Sequence, residues 1–310
     1  MDTEPLPPTN TLDQAVSVFE PLRRRLFGIA YRVLGSVVEA EDVVQEVWLR
    51  WQRTDRSVVV NPSAFLTSTT TRLAVNVAQS ARARRETYIG PWLPEPIDTS
   101  MDPEVGAERA EAVEMALLLL LERLNPTERA AYVLREAFDY PYEQIAAILR
   151  LSPVNVRKIV SRARKHLSDG HRETVSTAEH RRLLETFVAA ARKGDIASLE
   201  SLLTPDVVSV SDGNGIQGAA RVPVLGRARV IHLAAAGAAK HYWRDAEVAV
   251  VDVNGRAGIM LYLDGKPLIL MTLAASPEGI HQLMWVWTPS KISAFLGSRH
   301  RSTSALAPPT

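Results

Sequence analysis

DYPYEQIAAILRLSPVNVRKIVSRARKHL, residues 139–167, holds two short helical patterns joined by a tight turn. Ile145, Ala146 and Leu149 recur at helical spacing in the first. Ser152 supplies an N-cap oxygen for the second, and Pro153 takes the first helical position, where its missing N–H costs nothing. Val156, Ile159, Val160, Ala163 and Leu167 form an apolar stripe. Asn155, Lys158, Arg162 and Lys165 fall on another face, flanked by Arg157, Ser161 and Arg164. A short helix with an anchored apolar back and cations in front fits the major groove of DNA. A solvated bundle helix carries similar charge, but a capped pair with a one-sided basic second helix favours the DNA reading.

Composition sets the frame for that helix. A chain of 310 residues exceeds one small core, so two or three domains are expected. With 46% hydrophobic and 23% charged residues and a net charge of +1, basicity must be local. There is no cysteine, which excludes disulfides, thiolate zinc sites and a redox thiol. No metal-ligand spacing occurs, and nothing calls for a cofactor. The N-terminus lacks a basic segment followed by an apolar run, and the apolar stretch 112–121 is broken by Glu114. The expectation is a soluble, cytoplasmic protein without a membrane segment.

Composition changes along the chain mark its blocks. Residues 12–86 read as helical throughout, and 87–110 form a Pro-rich linker with Pro91, Pro94, Pro96 and Pro103. Residues 111–170 are a second helical block, and 298–310 read as a disordered tail. Between them, 178–297 open with a helix over 178–193 and continue as strands 247–253, 256–263, 267–275 and 280–287. Asn254-Gly255 and Asp264-Gly265 supply the positive φ angles of two-residue hairpins, so these strands form an antiparallel meander in an α+β domain.

In the first block, Ser36 and Glu39 fit a capping box opening the helix AEDVVQEVWLRW. Val43, Val44, Val47, Trp48 and Trp51 make its buried face; Glu39, Asp42, Gln45 and Glu46 lie opposite. Asp42 and Glu46 stand four apart with no cation between them, which suits a basic partner surface. A second helix starts at Asn61-Pro62. Phe65, Leu66, Thr69, Leu73 and Val77 are expected inward, Arg72, Asn76 and Gln79 outward, and Arg82, Arg84 and Arg85 at its basic end.

Taken together, AEDVVQEVWLRW, the helix with Arg72 and Asn76, and LNPTERAAYVLREAFDYPYEQIAAILRLSPVNVRKIVSRARKHL resemble regions 2 and 4 of a sigma-70 family sigma factor of the extracytoplasmic-function type (group 4). The segment 88–96, YIGPWLPEP, resembles the linker of the subgroup with a SnoaL-like C-terminal extension. Asp212-Gly213-Asn214-Gly215-Ile216 departs from that subgroup's Asp-Gly-Gly-Gly-Arg, and Thr288-Pro289-Ser290-Lys291-Ile292 from its Asn-Pro-Asp-Lys-Leu. The resemblance implies a multidomain fold: an all-α region 2 bundle, an all-α region 4 helix-turn-helix, and an α+β SnoaL-like cone.

It further implies that Asp42, Gln45 and Glu46 bind the clamp helices of the RNA polymerase β′ subunit. Arg72 or Asn76 would meet the −10 promoter element, with Arg82, Arg84 and Arg85 beside them. Asn155, Arg157, Lys158, Ser161 and Arg162 would read the −35 element, with Arg164 and Lys165 nearer phosphates. The cone would modulate the sigma factor in cis, contacting the linker at Trp92, Leu93 and Pro94. Sigma factors do no covalent chemistry, so no enzyme is expected and no catalytic residue is assigned. Candidate pocket groups within the cone are Asp212, His281 and Trp285, with His232 and His241 also polar enough to serve; His281, Leu283, Trp285 and Trp287 would share a strand face. Two other readings compete: a DNA-binding regulator that does not join polymerase, and a cone-fold enzyme or ligand sensor tethered to DNA.

Overall fold

Helix α1 (Leu12–Leu34) turns back at Gly35, whose φ of 67° suits glycine, into α2 (Val37–Arg53). Ser36 caps α2 by accepting from Glu39 N–H at 3.2 Å. Val43, Val44, Val47 and Trp51 are buried, and Trp51 donates its indole N–H to Ala15 O at 3.1 Å. Trp48 is only half-buried, tilted against Phe19. The computed structural model describes residues 12–85, 87–100, 114–168, 170, 172–239, 243 and 245–304.

Helix α3 (Pro62–Arg85) turns a different face inward from the one its aliphatic spacing suggests. Leu66, Thr67, Thr70, Thr71, Ala74 and Ala78 are buried, whereas Phe65, Thr69, Leu73 and Val77 are half-buried. The reason is hydroxyl satisfaction. Thr70 and Thr71 donate to Leu66 O and Thr67 O, each at 2.9 Å, and Thr67 pairs with the Tyr140 hydroxyl at 3.1 Å. With their polar atoms bonded, threonines pack inward at little cost.

The second helical block comprises α4 (Met115–Leu121), α5 (Pro126–Glu136), α6 (Tyr142–Leu149) and α7 (Pro153–Ser168). Asn125 and Glu128 form a complete capping box on α5. Ile29 of α1 joins Ala131, Leu134, Ile145, Val156 and Val160 in one core. Arg129, only 4% exposed, donates to Val33 O at 2.8 Å and pairs with Glu122. The described residues up to Arg82 and those of 121–166 therefore form one unit; those of 83–120 and from 167 onward form the other. The blocks 12–86 and 111–170 share a core instead of folding as two separate bodies.

Within that first unit, Arg72 donates from Nε to Ile148 O at 2.7 Å and from its guanidinium to Ala147 O at 3.0 Å. A cation thus closes the C-terminus of α6, where the helix dipole favours positive charge. Burial and the neighbouring Arg150 depress the Arg72 pKa.

The second unit is the α+β cone. It contains α8 (Thr177–Lys193), α9 (Ile196–Leu202), β1 (Leu203–Asp212), β2 (Val224–Leu225) and α10 (Arg227–Ala239). Strands β3 (Glu247–Val253), β4 (Arg256–Leu263), β5 (Lys266–Ser276), β6 (Gly279–Val286) and helix α11 (Pro289–Ser304) follow. The sheet order is β2-β1-β6-β5-β4-β3, with the expected meander β3–β6 antiparallel and β1 parallel to β6. Asn254 and Gly255 (φ 53° and 77°) and Asp264 and Gly265 (φ 51° and 71°) make the two tight hairpins. Phe187 of α8 and Val230 of α10 meet Ile259, Met271 and Leu283 on one face of the sheet. The alternating set Val210, Met260, Leu270, Met284 and Val286 is buried too, and α11 packs on β5. Burial on both faces explains why β4 and β5 are apolar almost throughout.

A bulge in β6 removes His281 from the inner face. Ile280 pairs with Ala275 and Gln282 with Ala274, so the alternation slips at His281 while Ile280, Leu283 and Trp285 enter the core. Burial lowers the His281 pKa to about 4; Arg172 adds to this, against Asp206, Glu114 and Glu278.

Two measurements follow from this packing. Arg72→Met keeps the stem and removes both donors; amide exchange in the last turn of α6 is expected to rise about fivefold, the equivalent of about 1 kcal/mol. Unchanged exchange would mean the cap contributes nothing. For His281, the unfolded chain gains its proton near about pH 6.5, whereas the folded chain holds it only near pH 4. Stability should therefore fall as pH drops through that window. His281→Gln should reduce this slope in urea unfolding, without abolishing it because burial also depresses His180; a wild-type slope in the variant would refute the assignment.

Candidate nucleic-acid interface and linker clamp

The recognition candidate is α7. Val156, Ile159, Val160, Ala163 and Leu167 are buried, and Asn155, Arg157, Lys158, Ser161, Arg162, Arg164 and Lys165 are all exposed. Ser152 Oγ accepts from Asn155 N–H at 3.2 Å, and Arg150, left-handed at φ 56°, makes the turn from α6. Arg157 pairs with Glu143 at 3.0 Å and Arg164 with Glu136 at 2.7 Å, while Arg162 stands 3.9 Å from Glu128. Exposed pairs of this kind hold side chains only weakly and give way to phosphate.

On α3, Asn76 and Gln79 are exposed, but Arg72 is spent on the α6 carbonyls. All three line a cleft with Arg50, Thr127 and Arg150. The backbone at Arg82, Arg84 and Arg85 continues α3; their side chains lie outside the described part. On α2, Asp42 and Gln45 are exposed. Glu46 is not uncompensated as its spacing from Asp42 suggests: Arg50, four residues on, pairs with it at 2.7 Å, and Arg23 of α1 pairs with Glu41 at 2.8 Å.

The linker binds along the cone by its backbone. Asp212, 0% exposed at the end of β1, accepts from Leu93 N–H at 2.8 Å, Thr288 Oγ at 2.6 Å, Lys291 Nζ at 2.7 Å and the Tyr88 hydroxyl. Lys291, 6% exposed, also donates to Leu93 O and lies 4.2 Å from the Trp92 ring centre. Burial and the Asp212 carboxylate push the Tyr88 phenol above its ordinary pKa, so it stays a donor. Leu93 and Pro94 are buried. Further on, Ile97 N–H donates to Asn254 Oδ1 at 3.0 Å, Asn254 N–H to Ile97 O at 2.9 Å, and Gly255 N–H to Thr99 Oγ1 at 2.9 Å. The β3–β4 hairpin thus doubles as a second clasp.

Asp212 is therefore no pocket group: its carboxylate faces the linker. Nor does His281 line the cone cavity, being set aside by the bulge; Leu283, Trp285 and Trp287 do line it. His232 belongs to a different, shallow surface hollow, and His241 lies outside the described residues. The resemblance put Trp92, Leu93 and Pro94 at the linker contact but gave no part in it to Tyr88, Thr288, Lys291 or Asn254. The available signal was Lys291, the single cation of Thr288–Ile292. Among the described residues no His, Asp and Glu group could hold a metal ion, and no helix is long and apolar enough to cross a membrane.

Known proteins resemble this chain. Residues 18–85 match Sigma-70 region 2, and residues 114–167 match Sigma-70, region 4. The chain is 39% identical over 221 residues to the ECF RNA polymerase sigma factor SigJ of Mycobacterium tuberculosis, covering 70% of each chain. It is 32% identical over 217 residues to the probable ECF RNA polymerase sigma factor SigI of that species, covering 68% of this chain and 75% of that one. The crystal structure of M. tuberculosis SigJ aligns with a TM-score of 0.72 at 32% identity, over 90% of this chain and 98% of that chain. The likeness extends past the two helical blocks into the linker and the cone, and the chain belongs to the extracytoplasmic-function RNA polymerase sigma factors.

Proposed function

We propose that this sigma factor joins core polymerase through Asp42, Gln45 and Glu46 on α2, reads the −10 element with α3 and the −35 element with α7, and is modulated in cis by the cone. The observation that carries the DNA reading is the division of α7: five apolar side chains buried, nine polar or cationic ones exposed. Such a helix presents bases with Asn155, Lys158, Ser161 and Arg162 while its back is anchored. Asp42 and Gln45 are open to a basic partner, and a clamp helix bringing cations would compete with Arg50 for Glu46.

Arg72 sets a condition. While it closes α6, two of its five N–H donors are committed there, so only full engagement of Arg72 by the −10 element requires α3 and α6 to part. Asn76, exposed one turn on, needs no such release.

The cone acts on the linker, which joins the two helical blocks in the chain. Holding Leu93 by both its N–H and its carbonyl shortens the free tether between α3 and α4. The reach between promoter-reading helices then depends on whether the clamp is closed.

Run-off transcription with core polymerase tests the whole reading; no start-site selection would end it. Lys158→Ala and Arg162→Ala should each weaken promoter binding by about 1–3 kcal/mol where they meet bases, and less where they meet phosphate alone. Promoter preference unchanged by both would argue against α7 as reader. Asp212→Asn keeps the shape but removes the charge that Lys291 requires, a loss of about 3–5 kcal/mol for a buried pair. Chymotryptic cleavage near Trp92 should speed up, and transcript yield should change by about threefold or more. Faster cleavage with unchanged yield would dismiss regulation by the cone while leaving the clamp intact.

A further inference from the structure

Helix α10, the loop after β1 and the inner face of the sheet line a part-open cavity of about 100 Å³. Its walls are aromatic: Trp243 and Trp285 meet edge to face with ring centres 6.0 Å apart, and Trp287 completes the rim. Ala234 leaves room on the helix side. Two hydroxyls enter this apolar space, from Ser209 and Ser211. Ser209 is committed, accepting the Trp285 indole N–H at 3.0 Å. Among the described residues no acidic or basic side chain lines the cavity.

Those walls define the occupant. A charged ligand would lose its hydration with no counter-charge in return. Indole faces and edges favour a flat ring, and Ser211 offers one hydrogen bond. An apolar cavity of about 150 Å³ takes up benzene in another protein, so this smaller, part-open one takes no more than a single ring, with any substituent toward its mouth.

We propose that the cone cavity is a binding site for a small, uncharged aromatic molecule, and that its occupancy is felt by the linker clamp. The coupling lies in the segment that follows Ser211. Asp212, the next residue, holds Leu93 and Tyr88. In the loop beyond it, Gly218 and Ala220 line the cavity while Asn214 Oδ1 accepts from Ile89 N–H at 3.3 Å. A Cβ on Gly90 would stand 3.4 Å from the Arg221 backbone, so the loop's far end lies close against the linker as well. One short loop thus has a face on the ligand space and a face on the linker. The coupling rests on the clamp described above; the binding site does not.

The test uses the full chain with phenol as probe, toluene as its match without the hydroxyl, and benzoate as the charged control. Saturation-transfer NMR and tryptophan fluorescence should detect phenol and toluene at millimolar concentration and benzoate at least about tenfold more weakly. Ala234→Leu should weaken both neutral probes by about tenfold or more. If that variant fails to fold by circular dichroism, Ser211→Ala decides: it should weaken phenol selectively over toluene. Absence of phenol and toluene binding, equal binding of benzoate, or insensitivity to these substitutions would each overturn the site. Coupling is read as a change in hydrogen exchange at the Leu93 amide on adding phenol, and unchanged exchange with binding intact would refute the coupling. None of these readouts involves polymerase, so they fail or succeed independently of regulation in transcription.

Discussion

One buried carboxylate organises the cone and the linker together. Asp212 has no solvent to satisfy it, and its four donors come from the linker twice, from Thr288 and from Lys291. Removing two opposite charges from water costs about as much as their attraction returns, so stability alone does not account for the pair. Geometry does. Each member of the pair takes one backbone group of Leu93: Asp212 the N–H, Lys291 the carbonyl. The ion pair therefore reads a peptide unit in one register. Aliphatic residues at 212 and 291 would bury as well but would leave both Leu93 groups unpaired in the interior. Trp92 then covers the ammonium from the other side.

The helical unit relies on a comparable economy of polar groups. Its elements are joined by the buried Thr67 hydroxyl on Tyr140, by Arg129 on the Val33 carbonyl and by Arg72 on the end of α6. Arg129 is buried and exchanges little with solvent, whereas Arg72 sits at the edge of an open cleft. The first is suited to permanent packing; the second is a bond that another anion or carbonyl could replace. The lowered pKa of Arg72 expresses the same crowding, since Arg150 stands on the same helix end.

Much of this was legible in the residues, for reasons that differ by element. Helix α7 was readable because a proline, a serine cap and a 3.6-residue stripe all agree. The hairpins were readable because Asn254-Gly255 and Asp264-Gly265 permit few other turns. β1 escaped notice: Pro205 interrupts it at a register shift, and its partner β6 lies parallel and some 70 residues away with no local turn to announce it. The inward face of α3 differs from the one that the spacing of Phe65, Leu73 and Val77 suggests, because four-residue back-bonding hides the hydroxyls of Thr70 and Thr71 and lets them turn inward. The bulge at His281 could not be seen either, since alternation predicts a face only while register holds.

The same logic explains why departures from the subgroup's signature leave the clamp intact. In Asp212-Gly213-Asn214-Gly215-Ile216, the carboxylate at 212 does the gripping, and the next requirement is a loop that lets Ile89 approach. Gly215, at φ 84°, meets it: a Cβ there would stand 3.3 Å from the end of the Ile89 side chain. Asn214 then supplies what a third glycine lacks, an amide oxygen for Ile89 N–H. Thr288 contributes a hydroxyl to Asp212 at 2.6 Å, and the lysine three residues on keeps its place. What the clamp needs is a set of donors and acceptors around one linker peptide, and a sequence can change wherever that set survives.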